Sequence, residues 1–484
     1  MNLAIVSAAL IDTRTAVGTP LRSRRTRSAI GTVRGLAHRV ASGVLLAACS
    51  LCAAPALAWS NHALATGPAL AAMPELAGLG PVKVESLESF LAAQGASLEK
   101  VLDDEERWAR EHVPAYPPRP DALRFVAAGA ADAAELRRRF VAAVRISPNV
   151  PLSLYLQRAP GAPADDGRAP MPAREVTTLP RDNAVDAVKF AALREGGQVS
   201  PIEVAATASD EPDYGLDIGL WEDNGTPQGR VYGFGKQPFG NPALDFGTQA
   251  PFHMGFYHES RIIYAAAGFL KRTWPEYRIH LWKTLALHAF RTGHDYWGWR
   301  FAGWAMHYLQ DLAQPYHARV LPDVSTVRML WINALYMAGW PDARNRAVTL
   351  VSNRHLAFEN FQRTAMLAGH HERGRAAALF DALAGAGAAA DPKYDDDTPR
   401  AAVSLRSSGA ADALDRTIAA SLPARYVSDP SFEFGASERG VDLFASLSRD
   451  DPAGRDALAR ALAPRLADFG AFTRAFVRSL LAAR

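Results

Sequence analysis

The stretch that most constrains this chain is residues 301–322, FAGWAMHYLQDLAQPYHARVLP. His307 and Asp311 stand four residues apart, so in a helix they lie on the same face, one turn apart. Pro315 lacks an amide hydrogen and breaks that helix after Gln314, which lets His317 leave the helical line. Two imidazoles and a carboxylate this close together predict a metal site, because zinc takes nitrogen and oxygen ligands.

A second pair with the same spacing follows downstream, His355 and Glu359 in RHLAFENF. The other residues of both segments are largely apolar, so the alternative is a set of ordinary buried helices with packed histidines. A lone histidine on such a helix is more often structural than a ligand. Two helical pairs and a third histidine beyond a proline favour the metal interpretation.

These residues carry a family resemblance. AMHYLQDLAQPYHARV followed by His-x3-Glu resembles the zinc-dependent phospholipase C family, which includes the clostridial alpha-toxin, and its relatives the fungal single-strand nucleases. The resemblance covers residues 301–360 and reaches the rest of the chain only in short islands. It implies an all-α fold, here a multi-helix bundle with long loop insertions, and three zinc ions at the bottom of a cleft.

The N-terminal 58 residues are typical of an export signal, cleaved after the A-x-A sequence Ala56-Leu57-Ala58. The apolar stretch 44–57 is too short to span a bilayer. We therefore expect a secreted or periplasmic protein. The alternative is a lipoprotein anchored at Cys49, since Leu46-Ala47-Ala48-Cys49 resembles a lipoprotein box.

Cleavage after Ala58 would make Trp59 the new N-terminus. In the family that this sequence resembles, the mature chain begins with a tryptophan whose amino group and carbonyl oxygen bind zinc, and a ligand histidine follows. The resemblance therefore implies metal roles for Trp59 and His62. The two-residue gap between them is shorter than in the phospholipases.

The family also places an aspartate from an acidic loop and a later histidine at the metals. The matching residues are Asp213, in ASDEPDYGLDIGLWEDN, and His253, in APFHMGFYHES. Asp210 and Asp217 are rivals of the first, and His258 is the alternative to the second. The gap between Asp213 and His253 is much longer than in the phospholipases, so the extra loop could shape the substrate cleft.

The resemblance then implies three zinc sites that share one carboxylate. The expected ligands are Asp213, His253, His307 and Asp311 for the first ion; the Trp59 backbone groups, His62 and Asp311 for the second; and His317, His355 and Glu359 for the third. Asp213 is also the expected catalytic residue, orienting or deprotonating the attacking water.

Helical spacing predicts helices within residues 85–147, 201–209, 259–292, 409–422 and 453–483. Residues 158–183, 230–250 and 374–395 are rich in Gly, Pro or Ala and predict loops. We divide the chain into a signal peptide (1–58), a catalytic helical domain (59–375) and an Ala-rich helical C-terminal extension packed on it (376–484). The last helix carries spaced arginines, so we also consider a peripheral membrane contact there.

Charge argues against a nucleic-acid partner. The chain has 53 basic and 50 acidic residues, but residues 1–58 hold seven Arg and one Asp, which leaves 46 against 49 and a net charge of −3. A chain without excess positive charge has no electrostatic reason to hold a polyanion, and nothing in the sequence indicates a protein partner.

The sequence therefore predicts a zinc-dependent phosphoric diester hydrolase of the phospholipase C type. It would act on a phospholipid or another phosphodiester through a metal-bound hydroxide, releasing diacylglycerol and a phosphorylated head group. Two alternatives stay open: a single-strand nuclease or 3′-nucleotidase on the same metals, and a non-catalytic helical scaffold.

Overall fold

Of the residues that the structure describes, 62% are helical and 3% lie in strands, which confirms the predicted all-α class. The computed structural model describes residues 61–162, 167–179, 188–240, 245–387, 390–437 and 440–484. The predicted signal peptide, Cys49 and Trp59 lie outside these residues.

The first half of the chain contains short helices around two longer ones. Its helices are α1 (Ala63–Ala71), α2 (Pro74–Ala77), α3 (Leu87–His112), α4 (Ala133–Ala143), α5 (Pro201–Ala208), α6 (Ala250–His253), α7 (Arg261–Ala266) and α8 (Pro275–Arg291). Short 3-10 helices connect several of them, among them Glu211–Tyr214 and Gly268–Lys271.

The second half is more continuously helical. Its helices are α9 (Asp295–Asp311), α10 (Pro315–Ala318), α11 (Thr326–Met337), α12 (Asp342–His371), α13 (Ala377–Ala384), a π-helical turn (Pro399–Ser404), α14 (Leu405–Ser421), α15 (Ala424–Val427), α16 (Phe434–Ser437), α17 (Leu443–Asp450) and α18 (Pro452–Ala483).

Within the described residues, two small antiparallel sheets lie among the helices. The strands are β1 (Val82–Lys83), β2 (Tyr155–Gln157), β3 (Pro170–Met171), β4 (Phe190–Ala192) and β5 (Gln198–Val199). β1 pairs with β5, and β4 lies between β2 and β3. β3 falls in a segment that the sequence predicted as loop; its pairing partner β4 is distant in sequence, so no local pattern reveals it.

Helix α9 is the centre of the fold. Its residues 296–311 are all buried, and most of them are apolar. It packs against α8 and α5. The helix ends at Asp311, and α10 begins at Pro315 with Gln314 as its N-cap, so the predicted break at the proline is where the chain turns.

A second apolar core connects the C-terminal helices to the helix that carries the downstream pair. Leu356 and Phe358 of α12 pack in one cluster with Leu379 of α13 and with Leu462 and Phe469 of α18. The segment beyond residue 375 therefore packs directly against a helix of the predicted site.

Helix α13 corrects the loop predicted for residues 374–395. Three of its side chains are buried, Leu379, Phe380 and Leu383, and Gly385 ends the helix in the left-handed conformation that glycine adopts without strain. The segment ALFDAL has helical apolar spacing, but the Gly and Asp residues that follow it led to the prediction of a loop.

No helix among the described residues combines the length and the apolar character needed to cross a membrane.

Helix α9 approaches α5 closely at Gly303, where a Cβ would lie 2.5 Å from the Ala208 Cβ and 2.7 Å from the Ala205 carbonyl oxygen. We expect Gly303→Ala to lower the free energy of unfolding by about 1–3 kcal/mol, because the two backbones must separate. Gly409→Ala is the matched control: this exposed glycine in α14 has no atom within 4 Å of the added methyl. It should stabilise the protein by about 0.5–1 kcal/mol. Chemical denaturation of both variants measures the difference, and equal stabilities would contradict the packing described.

Candidate metal centre

Eight of the nine predicted ligands belong to the described residues, and all eight are buried. They come from separate elements that meet at the C-terminal end of α9. The contributors are His62 at the start of α1, Asp213 in the 3-10 helix 211–214, His253 at the end of α6, His307 and Asp311 in α9, His317 in α10, and His355 and Glu359 in α12. The ninth, Trp59, is outside the described part of the chain.

The carboxylate of Asp311 lies at the centre of this group. Its Oδ2 is 2.9 Å from His253 Nδ1 and 3.3 Å from His307 Nε2. Its Oδ1 is 3.4 Å from His62 Nε2 and 3.6 Å from His317 Nδ1. Burial alone would raise the pKa of Asp311, but the imidazoles around it hold that pKa well below its ordinary value. An ionised carboxylate with its two oxygens turned to different imidazoles has the geometry of a bridging ligand.

Three of the imidazoles are anchored through Nδ1, which leaves Nε2 for the interior of the site. An amide or carbonyl oxygen only accepts hydrogen bonds, so in each case Nδ1 carries the proton. The contacts are His62 to Gln310 Oε1 (2.9 Å), His307 to the Ser209 carbonyl (2.7 Å) and His317 to the His253 carbonyl (3.1 Å).

His253 is anchored the other way round. Its Nε2 lies 3.4 Å from Asp217 Oδ2, and its Nδ1 lies 3.0 Å from His307 Nε2. Asp217 is itself fixed by Arg278 Nη2 and by the Tyr308 hydroxyl, both at 2.6 Å. Burial alone would lower the pKa of His253, but the neighbouring carboxylates raise it to about 10. The negative charge of these carboxylates, which keeps His253 protonated, would also stabilise a metal cation.

The ligand-type atoms form three groups in which all the atoms lie within 4.8 Å of one another. The groups are His253, His307 and Asp311; His62, Asp213 and His307; and His317, His355 and Glu359. The first and third fall within the expected ligand sets. The second joins His62 to Asp213 and His307, whereas the sequence had paired His62 with Trp59 and Asp311; the 3.4 Å contact between His62 Nε2 and Asp311 Oδ1 keeps it beside both.

The third group contains buried polar atoms with no hydrogen-bond partner. Glu359 Oε1 lies 2.5 Å from His355 Nε2 and 3.9 Å from His317 Nε2. Neither carboxylate oxygen of Glu359 and neither Nε2 atom is hydrogen-bonded. Burial raises the pKa of Glu359 to about 8, and lowers the pKa of His317 to about 4 and that of His355 to about 3.

This pattern fits a metal ion. Unpaired buried polar groups are costly, and a cation among them would satisfy all four atoms together. Neutral imidazoles at neutral pH are the form that binds metals, and two histidines with one carboxylate form a donor set that zinc takes. The same reasoning applies around Asp311, where His62 Nε2 and Asp311 Oδ1 also have no hydrogen-bond partner.

The geometry separates the rivals that the sequence left open. Asp213 Oδ1 lies 3.7 Å from both His253 Nδ1 and His307 Nε2. Asp210 instead accepts a hydrogen bond from the backbone amide of Ala63. Asp217 lies behind His253 and fixes its ring rather than joining a group. His258 points its Nε2 at the Arg400 carbonyl, 3.0 Å away, and joins none of the groups found among the described residues.

Sequence reasoning missed the residues that orient the ligands. Gln310 contacts His62, and Gln249 Nε2 lies 3.2 Å from Asp213 Oδ1 as a donor. The one sequence feature that could have indicated a role for Gln310 is its position directly before the predicted ligand Asp311. The roles of Arg278 and Tyr308 depend on tertiary contacts with Asp217, which no spacing reveals.

No family model, curated protein or solved structure matches this chain. The resemblance to the zinc-dependent phospholipases therefore rests on the motif residues alone.

Zinc affinity tests the third group directly. Glu359→Gln keeps the size of the side chain but removes its charge, so we expect the affinity of this site to fall by at least about 100-fold. Competition with a chromophoric chelator measures it. His258→Ala is the control and should leave every zinc affinity unchanged. Equal zinc binding by Glu359→Gln and the unaltered protein would contradict the assignment.

Proposed function

We propose that this chain is a zinc-dependent phosphodiester hydrolase of the phospholipase C type, exported and cleaved after Ala58. The observation that carries the proposal is the Asp311 carboxylate, whose two oxygens face different imidazoles beside a further His/His/Glu group. Adjacent metal positions that share a carboxylate are typical of enzymes that act on phosphoryl groups. Zinc, when bound in such sites, lowers the pKa of water to about 7 and offsets charge on phosphoryl oxygens.

The side chains divide the remaining work. His253, His307, Asp311 and Asp213 would hold one ion, and His317, His355 and Glu359 another, with His62 and Trp59 completing a third. Asp213 has the position of the acid–base group, because its Oδ1 faces two ligand imidazoles and accepts a hydrogen bond from Gln249. Burial raises the pKa of Asp213 well above its ordinary value, which suits a group that accepts and returns a proton.

A cavity of about 370 Å³ has a lining that supports the proposal of an anionic substrate. It begins at Asn61 and Leu64, which flank His62, and continues along Arg363, Leu367 and His371 of α12. These α12 residues follow Glu359 at intervals of four, so they extend the face that carries the metal ligands.

Cationic side chains line the same cavity. Arg158, Lys189 and Arg363 contribute to its wall. A cavity with this charge favours a phosphate diester over a neutral substrate.

Activity assays test this proposal. We expect the exported protein to hydrolyse phosphatidylcholine in mixed micelles and to release a phosphorylated head group, with little action on single-stranded DNA. Asp213→Asn should lower kcat by about 10²–10⁴-fold, the usual range for loss of general acid–base catalysis. Asp210→Asn is the control and should keep most of the activity, because Asp210 bonds to backbone rather than to the ligand groups.

Each contrary result points to a defined alternative. Faster hydrolysis of single-stranded DNA than of phospholipid would favour the nuclease on the same metals. Zinc-loaded protein that hydrolyses neither substrate would favour the scaffold.

A further inference from the structure

Large apolar side chains are exposed together on one face of the molecule. In the described part of the chain, eight large hydrophobic residues are exposed, and five of them are on or beside α11. These five, which we call the α11 face, are Ile262 (56% exposed), Val327 (77%), Trp331 (66%), Met337 (60%) and Trp340 (67%). Isolated exposed hydrophobic residues are common, but such a concentration marks a binding surface.

Helix α11 is apolar on both sides. Its inner side buries Met329 and Ile332, and Met329 packs in a cluster with Val320, Leu321 and Ile263. Its outer side carries Val327 and Trp331 one turn apart. The only charged residue between positions 326 and 341 is Arg328. A helix that faces water normally carries a polar outer side, so the apolar outer side of α11 indicates that a binding partner covers it.

Positive charge surrounds the α11 face. Arg261, Lys271, Arg328 and Arg346 are exposed, and none of them forms an ion pair within the described residues. Across the two segments that form the surface, 261–272 and 326–346, four exposed basic residues stand against one exposed acidic residue, Asp342. A polybasic rim around an apolar centre matches a surface that is anionic outside and apolar inside.

We propose that the α11 face docks onto the surface of an anionic lipid membrane. Indole rings favour the boundary between head groups and acyl chains, where Trp331 and Trp340 would insert. The surrounding cations would contact lipid phosphates. The inference goes beyond the metal chemistry and does not require it.

The charge pattern distinguishes a membrane from a second copy of this chain. A two-fold interface sets the same surface against itself, so Arg328 and its neighbouring cations would meet the same cations of the second copy, with Asp342 as the one acidic residue of these segments to offset them. Such like-charge contacts oppose association. An anionic lipid surface meets the same cations with opposite charge.

The last helix, which the sequence suggested for membrane contact, has a different role. Four of its five spaced arginines form ion pairs: Arg455 with Asp456, Arg465 with Asp468, Arg474 with Asp391, and Arg478 with Glu75 and Asp391. Its inner side packs in both cores. Because most of its arginines are paired within the protein, α18 is a weaker candidate for membrane contact than α11.

The α11 face is also close in sequence to the metal centre. Helix α11 lies between α10, which carries His317, and α12, which carries His355 and Glu359. Docking through α11 would hold the catalytic helices at the lipid surface.

Co-sedimentation with vesicles at 4 °C tests the proposal. The probes are vesicles of phosphatidylcholine alone and of phosphatidylcholine with phosphatidylglycerol at about three to one. We expect the unaltered protein to bind the anionic vesicles and to dissociate as salt is raised, because salt screens the cations. The double variant Trp331→Ala/Trp340→Ala should partition at least about tenfold less. Arg328→Glu/Arg346→Glu should lose the preference for anionic lipid.

Matched controls separate the α11 face from general hydrophobicity. Val231→Ser and Leu405→Ser change residues that are similarly exposed elsewhere (54% and 52%) and should bind as the unaltered protein does. Because Trp331 and Trp340 are exposed, their replacement should leave the thermal unfolding temperature unchanged.

Three results would overturn the proposal. They are absence of binding to anionic vesicles, undiminished binding by the double tryptophan variant, and a dimer in light scattering that this variant dissociates. Turnover of a soluble p-nitrophenyl phosphodiester is measured on the same samples. Vesicle binding without that turnover would refute the proposed hydrolase and support the docking surface. Turnover without vesicle binding would support the hydrolase and refute the docking surface.

Discussion

The structure depends on a carboxylate, Asp311, buried among four imidazoles. A charge taken out of water is stable only if partners surround it closely, and here the partners come from separate parts of the chain. His62 begins α1, His253 ends α6, His307 belongs to α9 and His317 to α10. These elements present their nitrogens to the same carboxylate, at the C-terminal end of α9, a helix whose residues 296–311 are all buried.

The anchoring contacts explain why these imidazoles are better placed to bind a metal than to form hydrogen bonds with each other. Backbone carbonyls of Ser209 and His253 fix two rings through Nδ1, and Asp217 fixes a third through Nε2. The remaining nitrogens converge on the same region, and the protein alone leaves several of the buried atoms there, such as His62 Nε2 and Asp311 Oδ1, without hydrogen-bond partners. Rings held this way lose little freedom when a cation binds, which favours high affinity.

The sequence could predict the parts of the site that are local. The pairs His307/Asp311 and His355/Glu359 follow from helical spacing, and the turn at Pro315 follows from a missing amide hydrogen. The family resemblance named His253 and Asp213 first, but spacing alone could not exclude His258 or Asp210, because each rival pair lies in one short segment with similar chemistry. The α11 face could not be predicted from the sequence for a similar reason. The segment TVRMLWINALYM has the composition of a buried helix, and only the structure shows that Val327, Trp331 and Met337 are exposed.

Anomalous diffraction at the zinc edge, from crystals of the exported protein, would locate the bound ions themselves. We expect separate peaks among His253, His307 and Asp311 and among His317, His355 and Glu359, with a further peak beside His62. Zinc bound only elsewhere, with these imidazoles and carboxylates hydrogen-bonded to one another, would contradict this expectation.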